Sequence, residues 1–206
     1  AFFKTAVERR VARALRPAGT PVDGAAAPWS VTRIGNHHDY LKHVAAMGDE
    51  YERRQRIERD LITGSDSFLT AGRCYVCRET VDFYSDFQYA FRDEQGRPTP
   101  NWRERLVCPR CRLNNRMRAS LHLFDQLCRP AATDAIYLTE QTTPVYVWLK
   151  NRYPRTVGSE YLGDSAPWGR PNAHGIRNES VTPLTFADES FDHILSFDVC
   201  EHVPEY

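Results

Sequence analysis

The spacing of apolar positions changes period several times along this chain, and each change predicts a different element. Over residues 2–15, Phe3, Ala6, Val7, Val11, Ala14 and Leu15 share one helical face, opposite Lys4, Arg9, Arg13 and Arg16. This reads either as the last helix of a preceding region or as a basic amphipathic helix for a membrane or acidic partner. Its Arg-rich, acid-poor character also suits a transit peptide. Pro17, Gly19, Pro21, Gly24 and Pro28 then predict a linker to about residue 30. A helical segment occupies 31–67, with one helix over 36–62: Leu41, Val44, Ala45 and Met47 come first, then a highly charged run from Glu50 to Asp60. His37, His38 and His43 lie in this aqueous stretch and read as solvated or capping side chains.

From Val81 the period falls to two. Val81, Phe83, Ser85, Phe87, Tyr89 and Phe91 alternate with Asp82, Tyr84, Asp86, Gln88 and Ala90, the pattern of a strand with one apolar face. Residues 93–98 supply a turn, and 102–107 are expected to return as the second strand of a hairpin. Asn114 or Asn115 can cap a helix running to about Cys128, with Met117, Leu121, Phe124 and Leu127 inward. Beyond it the pattern is β-α-β. Strands are expected at 135–139, 156–160, 175–180 and 191–197, and a helix at 145–153 opens on Thr143 and Pro144 as N-cap and first-turn proline. Alternating strands and helices predict an α/β fold with a parallel, doubly wound sheet over 131–206.

The cysteines add chemistry to this outline. Cys74 and Cys77 form one Cys-x-x-Cys knuckle, and Cys108 and Cys111 another, on either side of the expected hairpin. Four thiolates so spaced are the ligand set of a closed structural zinc site, which makes 68–130 a zinc ribbon with its following helix. Disulfides are the alternative, but a disulfide-rich secreted domain is usually shorter and richer in cysteine, and no signal peptide is visible. Cys128 and Cys200 stand alone, as thiols do in a reducing compartment, so the cytoplasm is the expected location.

Charge excludes some partners. The 206 residues carry 27 basic and 27 acidic side chains, so no global field favours nucleic acid or an anionic membrane. Arg110, Arg112, Arg116 and Arg118 form a local basic run. Arg116 and Arg118 suit either a solvated helix face or a clamp for an anionic acceptor such as a phosphate or uronate. No apolar run reaches the ~20 residues needed to span a bilayer.

Residues 184–204, LTFADESFDHILSFDVCEHVP, resemble the "LPFpDeSFDlVlsfdVLEHVpD" stretch of class I S-adenosylmethionine-dependent methyltransferases of the type 11 kind. Residues 135–180 fit the same Rossmann-like fold at the level of pattern. The zinc module resembles one found ahead of such domains in certain bacterial methyltransferase-type proteins, where Trp-Arg-Glu, Cys-Pro-x-Cys and Asn-Asn-Arg-x-Arg recur. Here these are Trp102 to Glu104, Cys108 to Cys111, and Asn114 to Arg118.

The resemblance implies S-adenosylmethionine as cofactor, bound outside the carboxyl ends of the strands. Glu160, ending the second strand, takes the place of the acid that binds the ribose hydroxyls. Ser180, preceded by Glu179, falls where an aspartate usually meets the adenine. Asp198 and His202 fall at the end of the fourth strand, where methyl group and acceptor meet. His202 suits a general base, or equally a cap for the turn before Pro204. The first-strand loop departs from the family: residues 138–144 contain no glycine, leaving Glu140, Gln141 and neighbouring threonines to hold the cofactor's amino-acid end. The expected acceptor is a small molecule or a glycan. The alternative is a non-catalytic binding module built from a zinc ribbon and a degenerate Rossmann half. The chain begins at Ala1 and stops at Tyr206 just after the fourth strand, which reads as a truncated sheet whose edge needs further residues or a partner chain.

Overall fold

The computed structural model describes residues 32–163 and 166–203, so the helix expected at 2–15 and the linker at 17–30 lie outside the described residues. Two compact units result. One takes the described residues up to Cys74 together with 78–109; the other takes 75–77 and the described residues from Arg110 onward.

The first unit begins with two helices, α1 (His37–Ala46) and α2 (Gly48–Asp60), where the sequence pattern predicts one. The side chain of Asn36 caps α1 by accepting the Asp39 amide at 3.0 Å. The break falls at Met47, whose φ of −93° and ψ of 1° leave the helical region. Neither helix buries a residue. In α2, Glu50 bonds Arg53 and Arg54 at 2.7 and 2.8 Å, the short-range pairing that supports an exposed helix.

Strands β1 (Ser67–Arg73) and β2 (Thr80–Asp86) pair antiparallel from Ser67↔Asp86 to Arg73↔Thr80. Phe68, Val81, Phe83 and Ser85 form the buried face, and Trp102 meets Phe68 edge-on with ring centres 5.8 Å apart. This corrects the expected ribbon. The long partner of β2 precedes the first knuckle, and 102–107 form no second long strand. Instead α3 (Trp102–Arg105) makes one helical turn, and only Val107 pairs with Tyr84. Arg105 grips Asp86 through two bonds of 2.7 and 2.6 Å. The turn expected at 93–98 is present between the short strands β3 (Phe91–Arg92) and β4 (Pro98–Thr99). There the Asp93 carboxylate accepts the Gln95 and Arg97 amides, and Gly96 takes a φ of 75°.

In the second unit, Asn114 caps α4 (Asn115–Leu123) by accepting the Met117 amide at 2.9 Å. The helix ends in a wider turn, Phe124–Cys128, with i→i+5 bonding. That widening alters the helical spacing, so Leu121 and Phe124 are buried while Leu127, expected inward, is exposed. Strands β5 (Ile136–Leu138), β6 (Thr156–Gly158) and β7 (His193–Leu195) form a parallel sheet in the order β6-β5-β7. Thr143 and Pro144 open α5 (Pro144–Arg152) as expected. Leu113, Leu121, Phe124, Ile136, Leu138, Val145, Leu149 and Tyr153 make the core.

The strand expected at 175–180 is reduced to single bridges: Glu160 pairs in parallel with Asn178, and Pro171 opposes Arg177. Pro171 has no amide to donate, and Gly175 turns the chain with a φ of 76°. The wholly buried Asn178 holds the segment instead, bonding Leu162, Gly163 and Ala166.

Candidate functional site

The first knuckle is the turn that joins β1 to β2. The Cys74 amide donates to the Glu79 carbonyl and the Arg78 amide to the Cys74 carbonyl, both at 2.8 Å. Arg78 has a φ of 60°, and Arg112, at the same place after the second knuckle, a φ of 64°. Each Cys-x-x-Cys turn is thus followed by one left-handed residue. Cys74 and Cys108 are fully buried, and the ligand atoms of Cys74, Cys77, Cys108 and Cys111 all lie within 4.8 Å of one another. Sulfurs at ~2.3 Å from a tetrahedral metal are about 3.8 Å apart, so this cluster can hold a metal ion. Tyr75, inside the first knuckle, stacks on His122 at 3.8 Å and donates to Asp125 at 3.0 Å. Asp125 also accepts the Tyr153 hydroxyl at 2.8 Å, and Val76 packs on the core. Burial pushes His122 below its ordinary value, opposed by the Asp125 charge.

A second group of the expected site residues gathers past the carboxyl ends of the parallel strands. Glu160 follows β6, and one of its oxygens, Oε1, accepts the Gln141 amide, the Thr142 amide and the Thr142 hydroxyl, each at 2.8 Å. The glycine-free loop is therefore tied to the acid of the second strand. The Gln141 side chain donates to the Gly175 carbonyl and accepts the Arg177 amide. Glu140 is half-buried; burial raises its carboxyl above the usual range, with Glu160, Arg116 and Asp198 near enough to act on its charge. Asp198 lies beyond β7 in the left-handed region, with a φ of 52°, and pairs with Arg116 of α4 at 2.5 Å.

The remaining expected site residues stand differently. Glu179 is buried, and its carboxylate binds the Arg177 guanidinium at 2.7 Å as well as the Thr185 amide and hydroxyl. Ser180 shares a hydrogen bond with Thr182 at 3.0 Å. His202 is exposed on the 3-10 turn Cys200–His202, its amide bonded to the Val199 carbonyl. Arg118, expected on a solvated face or an anion clamp, is buried, and donates to the Leu113 carbonyl at 2.7 Å and to Asn115 at 3.2 Å. It braces the start of α4.

Ser120 and Met117, which motif reading passed over, join Arg116, Glu140, Val145 and Phe197 around a void of about 10 Å³. The helical spacing of 116, 117 and 120 was the available signal. A Cβ on Gly158 would stand 2.7 Å from the Glu140 carbonyl and from the Tyr146 ring. Close backbone approach thus places a glycine on β6 rather than in the loop after β5. No helix among the described residues is long and apolar enough to cross a membrane. Comparison of the chain with protein-family models, with curated proteins and with solved structures gives no match.

Proposed function

We propose that this chain belongs to a cytoplasmic S-adenosylmethionine-dependent methyltransferase acting on a small molecule or a glycan, with a structural zinc ion on its four cysteines. The observation that carries this reading is Glu160. It follows β6, beside the central strand β5 of a parallel sheet ordered β6-β5-β7, and its own bridge to Asn178 extends the order outward. Counted by chain position, with the bridged segment as third, that is third-second-first-fourth, which supports reading the sheet as Rossmann-like with its crevice at the reversal. An acid there suits the ribose hydroxyls of the cofactor. Glu160 spends Oε1 on the loop, which leaves its other oxygen to accept them. When bound, the cofactor supplies a methyl group on a sulfonium. His202 would accept the proton of the acceptor's hydroxyl or amine, and positioning of the acceptor supplies the rest.

For the metal, four thiolates with two fully buried members match a closed zinc site, with no open position for a substrate. Metal analysis of protein purified without added metal should find about one zinc per chain. Cys77→Ser or Cys108→Ser should lose metal and solubility together, because binding is coupled to folding; retention of both would refute the site. Calorimetric titration of the full-length protein with S-adenosylmethionine and S-adenosylhomocysteine tests the enzyme reading, which fails if neither binds at millimolar ligand.

One observation favours a second reading. The void beside Glu140 is about 10 Å³, and the loop over it has no glycine. A non-catalytic module, zinc ribbon plus degenerate Rossmann half, would bind neither ligand.

A further inference from the structure

Resting on the zinc reading, we infer that the cysteine cluster is also a modification site: hydrogen peroxide oxidises Cys77 and Cys111 to a disulfide between the knuckles, with loss of the metal. The four ligands are not equivalent. Cys74 and Cys108 are wholly buried, whereas Cys77 and Cys111 are half-buried. An oxidant arriving from water therefore meets the second cysteine of each knuckle first. Sulfur oxidation follows thiolate character and access. Coordination holds all four sulfurs as thiolates, so access is the difference that selects among them. Backbone ties act in the same direction. The Cys74 amide and carbonyl are both bonded, to the Glu79 carbonyl and the Arg78 amide at 2.8 Å, which fixes Cys74 at the end of β1. Cys77 and Cys111 belong to the second unit and occupy matching places, each just before a left-handed arginine.

The ligand atoms lie within 4.8 Å of one another, and a disulfide brings two of them to ~2.05 Å. Half-buried side chains make that approach at less packing cost than wholly buried ones. The thiolate of Cys77 or Cys111 attacks a peroxide oxygen; the O–O bond breaks, giving a sulfenic acid and hydroxide. The other thiolate attacks the sulfenic sulfur; the S–S bond forms and the S–O bond breaks, releasing a second hydroxide. Two electrons pass from the sulfurs to the peroxide, and each hydroxide takes a proton from solvent to leave as water. Cys74 and Cys108 are then the only thiolates left, short of the four that close the site.

The test uses full-length, metal-loaded protein carrying Cys128→Ser and Cys200→Ser, so that only the four ligands can oxidise. Hydrogen peroxide is added stepwise, metal release is read with a coloured chelator, remaining thiols are alkylated, and the protein is digested with trypsin for mass spectrometry. Cleavage after arginine leaves Cys74 and Cys77 together on residues 74–78, Cys108 on 106–110 and Cys111 on 111–112. The expected first product joins 74–78 to 111–112 through Cys77, with Cys74 and Cys108 alkylated and about one metal ion released per disulfide. A thiol reductant with added zinc should restore the metal. A first disulfide within a knuckle overturns the inference: 74–78 closed on itself, or 106–110 joined to 111–112. Any other first pairing, or metal retained at millimolar peroxide, overturns it as well, and in each case the zinc reading stands. If the purified protein holds no metal, both fall.

Discussion

Replacing Asp125 tests how the first cysteine knuckle is anchored. Its side chain is 8% exposed and accepts two phenols, Tyr75 from inside the knuckle at 3.0 Å and Tyr153 from the end of α5 at 2.8 Å. Asp125→Ala removes the acceptor of both hydroxyls; Tyr153 keeps the Arg152 donor at 3.2 Å but is 4% exposed, so water cannot readily replace its acceptor. A stranded buried hydroxyl costs ~1–3 kcal/mol. The Arg152 contact, at 3.8 Å with Arg152 half-exposed, adds at most ~1 kcal/mol after screening. The expected loss is therefore about 2–5 kcal/mol, a large share of the ~5–15 kcal/mol that holds a domain folded. The assay is urea denaturation of the metal-loaded protein, followed by circular dichroism, with metal release timed by a coloured chelator. Because Tyr75 lies between Cys74 and Cys77, the variant should also release metal faster. A double variant, Asp125→Ala with Tyr153→Phe, should be more stable than Asp125→Ala alone, since the stranded hydroxyl is gone. Strict additivity, or a loss below about 0.5 kcal/mol for Asp125→Ala, would refute this account.

Gly158→Ala should destabilise by about 1–3 kcal/mol in a thermal melt, because the new methyl meets backbone at the Glu140 carbonyl as well as the Tyr146 ring. A neutral effect would mean that the loop yields freely. Glu140 predicts a pH dependence. Its folded-state carboxyl is raised, so the stability it contributes is complete below its unfolded value of about 4.3 and is lost as pH rises through the folded value. Glu140→Gln should therefore melt above wild type at neutral pH and close to it at about pH 4, a difference read from paired melts across that range. The opposite trend would show that the Thr143 hydrogen bond, with the Arg116 charge, outweighs burial.

The sequence is most legible where one local rule acts alone. Asn114 and Thr143 cap their helices as their positions predict, and β5, β6 and β7 fall within their apolar runs. The two knuckles converge because their spacing leaves few other geometries. Legibility fails where tertiary partners decide. β1 carries Phe68, Thr70 and Gly72 on its inward face, too weak an alternation to announce the strand that pairs with all of β2. Residues 102–107 read as the return of a hairpin toward the second knuckle, yet Arg105 fixes on Asp86, nineteen positions earlier, at the end of a single helical turn. Arg118 carried the signal of a surface cation and is buried, because the Leu113 carbonyl and Asn115 satisfy its guanidinium.

The loop after β5 lacks the expected glycine, and other residues make its close contacts. A glycine there serves close backbone approach, and in this chain the closest approach occurs one strand over, where Gly158 passes under the Glu140 carbonyl and the Tyr146 ring. With side chains at every loop position, the loop needs something to hold it, and Glu160 does so through three donors to a single oxygen. The same carboxylate thus sets the position of Glu140, one residue before the first of those donors. Glu140 in turn stands where the Arg116–Asp198 pair can act on it. Losing Glu160 would accordingly release the loop, and with it the ribose contact proposed for this acid. Glu160→Gln, which keeps an acceptor oxygen for the loop, separates those two roles more cleanly than Glu160→Ala.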